Sequence, residues 1–295
     1  MDNIFHLPTP LNEIITPETL KHNVKLWLKR DDLIHPEISG NKWRKLKYNL
    51  LEAQRQNKNT VLTFGGAYSN HITATAAAGK YLGFKTIGII RGEEHQPLNA
   101  SLQFAQNCGM QLEYVNRTTF AQIRNSTIKF PTSLLRTQNT EDIYIIPEGG
   151  ANALAIKGCN EIVSEINIDF DYACCACGTG TTITGIATQL QPHQKAIGMA
   201  VLKHEAMEME IKSNHTTLQN SLIIDAAHYG GYAKTTPALL AFIANFQKEQ
   251  NILLDYVYTG KMLYHLINKI ADGYFAPGTV MVAVHTGGVM NAAVL

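Results

Sequence analysis

The chain carries little charge and almost no excess of either sign. Asp, Glu, Lys and Arg make up 17% of its 295 residues, and 25 basic against 24 acidic side chains leave a net charge of +1. Without a basic block or an acidic tail there is no electrostatic drive toward nucleic acid or an anionic membrane, so small neutral or zwitterionic ligands are expected. No apolar run is long enough to span a bilayer, and the first residues lack a basic flank followed by an apolar stretch, so a cytoplasmic protein is expected. Cysteine is scarce and odd in number, with Cys174, Cys175 and Cys177 crowded into one apolar segment beside Cys108 and Cys159. Neither a disulfide framework nor a standard zinc site fits that distribution, and no metal is expected. Fixed-period repeats and low-complexity segments are also missing.

What is present is alternation. After an irregular opening with Pro8, Pro10 and Pro17, a short strand is expected at 24–29, then a helix from Lys42, with Asn41 as its N-cap and Leu46, Leu50, Leu51 and Ala53 at helical spacing. Strands at 60–65, 85–91, 111–116 and 143–147 alternate with helices at 69–82, 99–108 and 119–128. A second series follows: helix 153–165, strand 172–177, helix 183–190, strands 195–202 and 221–226, helices 237–250 and 261–271, and strand 279–284. Such alternation implies an α/β protein of two lobes, each a mostly parallel twisted sheet covered by helices. The expected division is a small domain, 43–150, and a larger domain of 1–42 plus 151–295 onto which the N-terminal segment packs.

Several loops between these elements carry chemical groups. Lys42 falls in the first turn of its helix, where the helix dipole, Arg44 and Lys45 disfavour another cation and push the amine toward its neutral, nucleophilic form, able to condense with an aldehyde. The plain alternative is a basic helix start on the surface. Gly178-Thr179-Gly180-Thr181-Thr182 joins an apolar strand to a helix, and its glycines and hydroxyls suit an anion. It has neither the Gly-Lys-Ser/Thr ending of a P-loop nor Gly-x-Gly-x-x-Gly spacing, so one phosphate suits it better than two or three. Gly65 to His71 makes a second strand-to-helix turn, with Ser69 as N-cap and Asn70 and His71 beyond it, suited to a carboxylate or to simple capping. The loops 255–261 and 285–288 are expected at the carboxyl ends of strands, where parallel sheets bind ligands. Lys29-Arg30-Asp31-Asp32 either is a solvated strand end or braces the Lys42 turn.

One ligand uses a reactive lysine, a single-phosphate cradle, a partner for a ring nitrogen and donors for an amino-acid carboxylate together: pyridoxal 5'-phosphate. The segments 29–32, 39–46, 65–71, 147–152, 178–182, 258–261 and 285–288, in this order along essentially the whole chain, resemble the 1-aminocyclopropane-1-carboxylate deaminase and D-cysteine desulfhydrase family. Its members are pyridoxal-phosphate enzymes of the tryptophan-synthase β-like fold, usually homodimers acting on small amino acids. The resemblance implies that Lys42 holds the cofactor, Asn70 bonds its ring hydroxyl, and Thr179, Gly180, Thr181 and Thr182 bind its phosphate. Ser69, Asn70 and His71 would receive the substrate carboxylate, Tyr258 would stand near the reacting carbon, and Tyr232 matches a second tyrosine in a loop that is shorter here. Deaminases of the family carry a glutamate where this chain has Thr259 and a leucine where it has Thr286. A neutral hydroxyl beside the ring nitrogen favours eliminating a good leaving group such as hydrosulfide over opening a cyclopropane, so D-cysteine desulfhydrase chemistry is expected ahead of deamination. Another β-replacing or dehydrating enzyme of this fold and a non-catalytic small-molecule binding module are the alternatives.

Overall fold

The computed structural model describes residues 4–38, 40–125, 141–203 and 206–288. They form two compact units, one of residues 42–155 and one of the chain before and after it. The larger unit opens with β1 (Leu11–Ile14), α1 (Pro17–Lys21) and β2 (Lys25–Lys29). Next come α2 (Asn41–Arg55), β3 (Thr60–Gly66), α3 (Asn70–Leu82), β4 (Lys85–Arg91), α4 (Ala100–Asn107), β5 (Gln111–Val115), α5 (Arg117–Asn125) and β6 (Ile143–Ile145), which make up the smaller unit. The chain returns to the larger unit through α6 (Ala153–Ser164), β7 (Tyr172–Cys177), α7 (Thr181–Ala187), β8 (Lys195–Ala200), α8 (Met207–Asn214), β9 (Leu222–Ala226), α9 (Pro237–Gln250), α10 (Thr259–Ala271) and β10 (Val280–Val284). Both units are the α/β lobes expected of the alternation.

In the smaller unit the strand order is β5-β4-β3-β6 and every pairing is parallel. Six successive residues of β3, from Thr60 to Gly65, are buried, because helices cover both faces of a parallel sheet. Helix α3 is buried from His71 to Gly79 without a break, and its small residues make that possible. A Cβ on Gly79 would stand 2.4 Å from Thr86 Cγ2 of the neighbouring strand. The helix starts where Ser69 Oγ accepts from the amides of His71 and Ile72, and ends at Gly83, whose φ of 79° suits glycine.

The larger unit has the order β1-β2-β10-β7-β8-β9, antiparallel only at the β1 edge. Its core has two layers, one on each face of the sheet: Leu26, Leu28, Met199, Leu263 and Leu266 belong to one, Cys175, Ile183, Ile186 and Val282 to the other. Burial pushes the Cys174 thiol well above its ordinary pKa, consistent with core packing.

Four local expectations change. The opening is not wholly irregular, since β1 pairs along β2 through Leu11–Lys29 and Ile14–Leu26. Asn41 is the first residue of α2 and not its cap; its amide is drawn off to Thr182 Oγ1, 2.9 Å away. Helix α5 begins at Arg117, and the expected positions 126–128 lie outside the described residues. Residues 251–258 form no strand, because the Asp255 carboxylate collects the amides of Val257, Tyr258 and Thr259 at 2.8, 2.7 and 2.8 Å and turns the chain into α10.

Candidate active site

Each sheet reverses its strand order at one place, and the loops leaving the carboxyl ends of the strands there are the natural ligand sites. In the larger unit the reversal falls between β7, from which β8 and β9 continue to one side, and β10, which leads to β2 on the other. The loops after β7, β10 and β2 hold Gly178–Thr182, His285–Gly288 and the approach to Lys42. They are tied together. Gly40 Cα packs so closely on the 286–287 peptide that a Cβ would lie 2.0 Å from Thr286 O, and its φ of +63° also calls for glycine. The amide of Asn41 donates to the same Thr286 carbonyl at 3.3 Å. Thr286 itself is buried. Thus the residue preceding Lys42 is fastened both to Thr286 and to Thr182 of the Gly/Thr turn.

Within that turn Gly180 is the N-cap of α7 with φ 77°, and Thr179 and Thr181 share a 3.1 Å hydroxyl contact. A side chain on Gly180 would press its Cβ to 2.8 Å from Ile211 Cδ1, so only glycine keeps this turn. The Tyr258 ring borders the same loop, 3.4 Å from where a Cβ on Gly178 would be. Thr259 follows as the first residue of α10, fully buried, with a hydroxyl that has no hydrogen-bond partner. Leaving a buried hydroxyl unpaired costs about 1–3 kcal/mol, so its presence here calls for a group that the protein itself does not provide.

Lys29, expected either to be solvated or to brace the Lys42 turn, is fully buried. Its ammonium donates to Thr9 O and Glu165 Oε2, each at 2.7 Å, and also meets Thr9 Oγ1. Asp31 accepts from Thr9 Oγ1 at 2.7 Å and, through its carbonyl, from the Gly40 amide at 2.9 Å. The cluster is therefore an interior brace behind Gly40. His285 is a structural histidine whose Nε2 lies 2.9 Å from Leu253 O.

The smaller unit reverses its order between β3 and β6, and the loops after them carry Ser69-Asn70-His71 and the 147–152 segment. His71 is wholly buried, with Nε2 2.9 Å from Thr63 Oγ1 and no partner for Nδ1. Burial first, then the cations of Lys42 and Lys45, hold its pKa down to about 3, so the ring is neutral. Lys45 Nζ donates to Gly149 O at 3.2 Å, and a Cβ on Gly150 would meet Lys45 Cβ at 3.2 Å and His71 Cε1 at 3.4 Å. Asn152 Nδ2 donates to Asn49 Oδ1 at 2.7 Å, which also accepts from Tyr144 OH at 3.2 Å, fixing the 147–152 segment to α2. Lys42, His71 and these glycines are thereby gathered at one end of the smaller sheet.

Tyr232 lies in a third segment of the larger unit. It is half exposed on the loop from β9 to α9, where Tyr229, Gly230, Gly231 and Ala233 all have positive φ. Two buried or half-buried side chains of α10 hold that loop. Lys261 Nζ donates to His228 O at 2.9 Å and Gly231 O at 2.7 Å, and His265 Nδ1 lies 3.0 Å from the Tyr229 hydroxyl. The sequence alone assigns no role to Asp255, Lys261 or His265, whereas the brace was one of its two readings of the Lys29 cluster; a cation among apolar neighbours is the available signal for Lys261.

A fold of two parallel α/β sheets with ligand loops at their reversals, a lysine at a helix start and an anion-suited Gly/Thr turn defines a class of cofactor-dependent enzyme. A family model described as pyridoxal-phosphate dependent enzyme matches residues 4–287, and the chain belongs to that family. Its cofactor is pyridoxal phosphate. The chain is 29% identical to the bifunctional D-cysteine desulfhydrase/1-aminocyclopropane-1-carboxylate deaminase of Arabidopsis thaliana, over 98% of this chain and 78% of that protein. It is 27% identical to a D-cysteine desulfhydrase of Serratia proteamaculans, over 90% and 86% of the two chains. A crystal structure of an ACC deaminase homologue superposes with a TM-score of 0.80 at 25% identity, covering 97% of this chain and 91% of that one. The unpartnered Thr259 hydroxyl and the glycine-walled turn at 178–182 fit such a cofactor's ring nitrogen and phosphate. Among the described residues no group of three or more His, Cys, Asp or Glu is arranged to hold a metal ion, and no helix is long and apolar enough to cross a membrane.

Proposed function

We propose that this enzyme carries out α,β-elimination on a small amino acid, with D-cysteine and water giving pyruvate, ammonia and hydrogen sulfide. The observation that carries the choice is Thr259: a neutral, buried hydroxyl without a partner stands at the head of α10. A carboxylate there would hold the ring nitrogen of the cofactor protonated, as opening a strained carbon ring demands; a hydroxyl does not, and loss of hydrosulfide does not need it. In this reading Lys42 holds the cofactor, Thr179, Gly180, Thr181 and Thr182 receive its phosphate, and Asn70 bonds its ring hydroxyl. Ser69, Asn70 and the neutral His71 orient the substrate carboxylate, with Thr286 on the substrate side. The bound cofactor supplies a sink for the electron pair released as the substrate Cα–H bond breaks. Lys42 Nζ takes that proton, while Tyr258 Oη and Ser69 Oγ move protons at the departing sulfur and the carboxylate side. Tyr232 approaches the substrate from its own loop.

The domain reading that accompanies this function is a small domain, 43–150, and a large cofactor-binding domain of 1–42 plus 151–295, within a cytoplasmic homodimer. Sedimentation as a monomer at micromolar concentration would count against the dimer.

The direct test is a visible spectrum of the purified protein, followed by D-cysteine, L-cysteine and 1-aminocyclopropane-1-carboxylate added separately. A yellow chromophore bleached by borohydride, with sulfide and pyruvate formed from D-cysteine, is the expected result. 2-Oxobutyrate and ammonia from the cyclopropane substrate would make the enzyme a deaminase and overturn the inference from Thr259. Cofactor bound without product from any amino acid would leave a binding module. Lys42→Ala should abolish turnover, and elimination retained near the wild-type rate would remove Lys42 from its role.

A further inference from the structure

The loop that carries Tyr232 is costly in backbone terms. Tyr229 and Ala233 take φ of 45° and 53°, in the left-handed region where side chains are disfavoured, and Gly230 and Gly231 lie between them at 96° and 123°. Such a loop keeps one shape only if its surroundings impose it. Helix α10 does so from one face, because Lys261, His265 and Lys269 follow at intervals of four residues and therefore project side by side. Lys261 takes the carbonyls of His228 and Gly231. Lys269 Nζ lies 2.6 Å from Asp225 Oδ2 at the end of β9, and its ammonium also sits 4.0 Å from the Tyr274 ring. Between them, His265 has Nε2 3.1 Å from Asp225 Oδ2 and Nδ1 3.0 Å from the Tyr229 hydroxyl.

The carboxylate fixes the roles along this chain of contacts. Burial opposes the charge on Asp225, yet hydrogen bonds from Lys269 and His265 keep its pKa below the ordinary carboxylate value, so it accepts from Nε2–H. In the tautomer that carries its proton on Nε2, His265 offers Nδ1 as acceptor to the Tyr229 hydroxyl. Burial first, then Tyr264, push the Tyr229 hydroxyl up to about 12 despite a hydrogen bond with the Asn268 side chain that lowers it, so it keeps the proton that it donates. The Tyr229 ring is packed edge-on to His265 and against Tyr264, at centroid distances of 6.1 and 5.4 Å.

We propose that His265 is a positioning residue of this enzyme: by bridging Asp225 and the Tyr229 hydroxyl it sets the loop that presents Tyr232 to the substrate. The proposal rests on the reading of Tyr232 given above. Because Tyr232 lies three residues beyond the clamped tyrosine, loosening the clamp weakens substrate capture before it disturbs the chemistry at Lys42.

The two ring nitrogens allow the clamp to be dissected on the holoenzyme. An asparagine side chain reaches about as far as Nδ1 and a glutamine as far as Nε2, so His265→Asn retains the bond to Tyr229 and His265→Gln retains only the one to Asp225. Hydrogen–deuterium exchange mass spectrometry of residues 227–234 and the kinetics of D-cysteine elimination are measured for both variants and for Tyr229→Phe. The expected result is that His265→Gln and Tyr229→Phe raise exchange in this loop and raise KM about three- to tenfold, the effect of one hydrogen bond, with kcat changed less than about threefold. His265→Asn restores both readouts toward wild type, which general destabilisation would not do. Unchanged loop exchange in His265→Gln and Tyr229→Phe overturns the proposal, and so does a rise spread evenly over the whole chain. If the wild-type protein eliminates no amino acid, the functional reading fails separately, while the exchange measurement still decides whether His265 holds the loop.

Discussion

Asp255→Ala tests how the larger unit brings Tyr258 and Thr259 to the Gly/Thr turn. The Tyr258 side chain does not cap α10, so the first amides of that helix depend on Asp255, which is 3% exposed and accepts at 2.8, 2.7 and 2.8 Å from Val257, Tyr258 and Thr259. Hydrogen bonds to a charged partner are each worth about 1.5–3 kcal/mol, and loss of a cap costs about 0.5–2 kcal/mol, but these overlap and the carboxylate is itself costly to bury. The net loss should be about 3 kcal/mol for Asp255→Ala. It should be about 2 kcal/mol for Asp255→Asn, whose amide nitrogen faces backbone donors in place of an acceptor oxygen. That is a large fraction of the stability of an ordinary domain. The substitution also releases the turn whose Gly260 amide bonds Asp255 O at 2.9 Å, so Thr259 loses its fixed place. Urea unfolding of the holoenzyme gives the stability, and visible absorbance remaining after dialysis gives cofactor retention. Both should fall in both variants, alanine more than asparagine. Asp255→Asn with unfolding within about 0.5 kcal/mol of wild type and undiminished cofactor would refute the argument that this carboxylate shapes the turn.

His71 gives the protein a predicted loss of stability in mild acid. Its folded pKa of about 3 lies below the unfolded value of 6.5, so between these values the unfolded chain binds the extra proton; stability is full above about pH 6.5 and falls as the pH drops toward 3. The loss should reach about 2 kcal/mol at pH 5 and be missing from His71→Asn, so equal shifts in urea midpoint between pH 8 and pH 5 for the two proteins would remove this account. Gly40→Ala places a Cβ 2.0 Å from Thr286 O at a φ of +63°, and should cost about 3 kcal/mol or more and release Asn41 from Thr182. Cofactor retention and thermal stability both report it, and an unchanged protein would mean that the 286–287 peptide yields freely.

The parts of the fold readable from sequence are those whose signal is local. Tyr172–Cys177 is a continuous apolar run bounded by Asp171 and Gly178, Pro237–Gln250 opens on a proline at its first position, and α3 follows the Ser69 cap; the expected ends of each lie at or within a residue of the observed ones. The strand β1 was not seen because it is an edge with two exposed residues between prolines, and its pairing with β2 is not written in either segment. The segment 255–261 reads as the end of a strand because apolar and aromatic side chains lead into it, but Asp255, given three backbone donors to satisfy, makes a helix start instead.

The candidate site shows the same division more sharply. Lysine, glycine–threonine turn and Ser-Asn-His cap were visible because each lies in a short segment whose residue types already imply a function for the backbone around them. The distant partners that hold these segments in place are not legible in the sequence. Asn41 bonds Thr182 across 141 positions, Lys29 bonds Glu165 across 136, and His265 bonds Asp225 across 40. Nothing local distinguishes a histidine that will meet a carboxylate from one that will face water; the sheet order decides it, by bringing the end of β9 beside one face of α10. Function in this fold therefore rests on two kinds of residue. The first touches the ligand and leaves a motif, while the second sets the first in place through the topology and leaves almost none. Lys261, His265 and Asp255 are of the second kind, and all three act on or from the helix that begins with Thr259, so substitutions along α10 should disturb both the placing of Thr259 and the loop from His228 to Ala233.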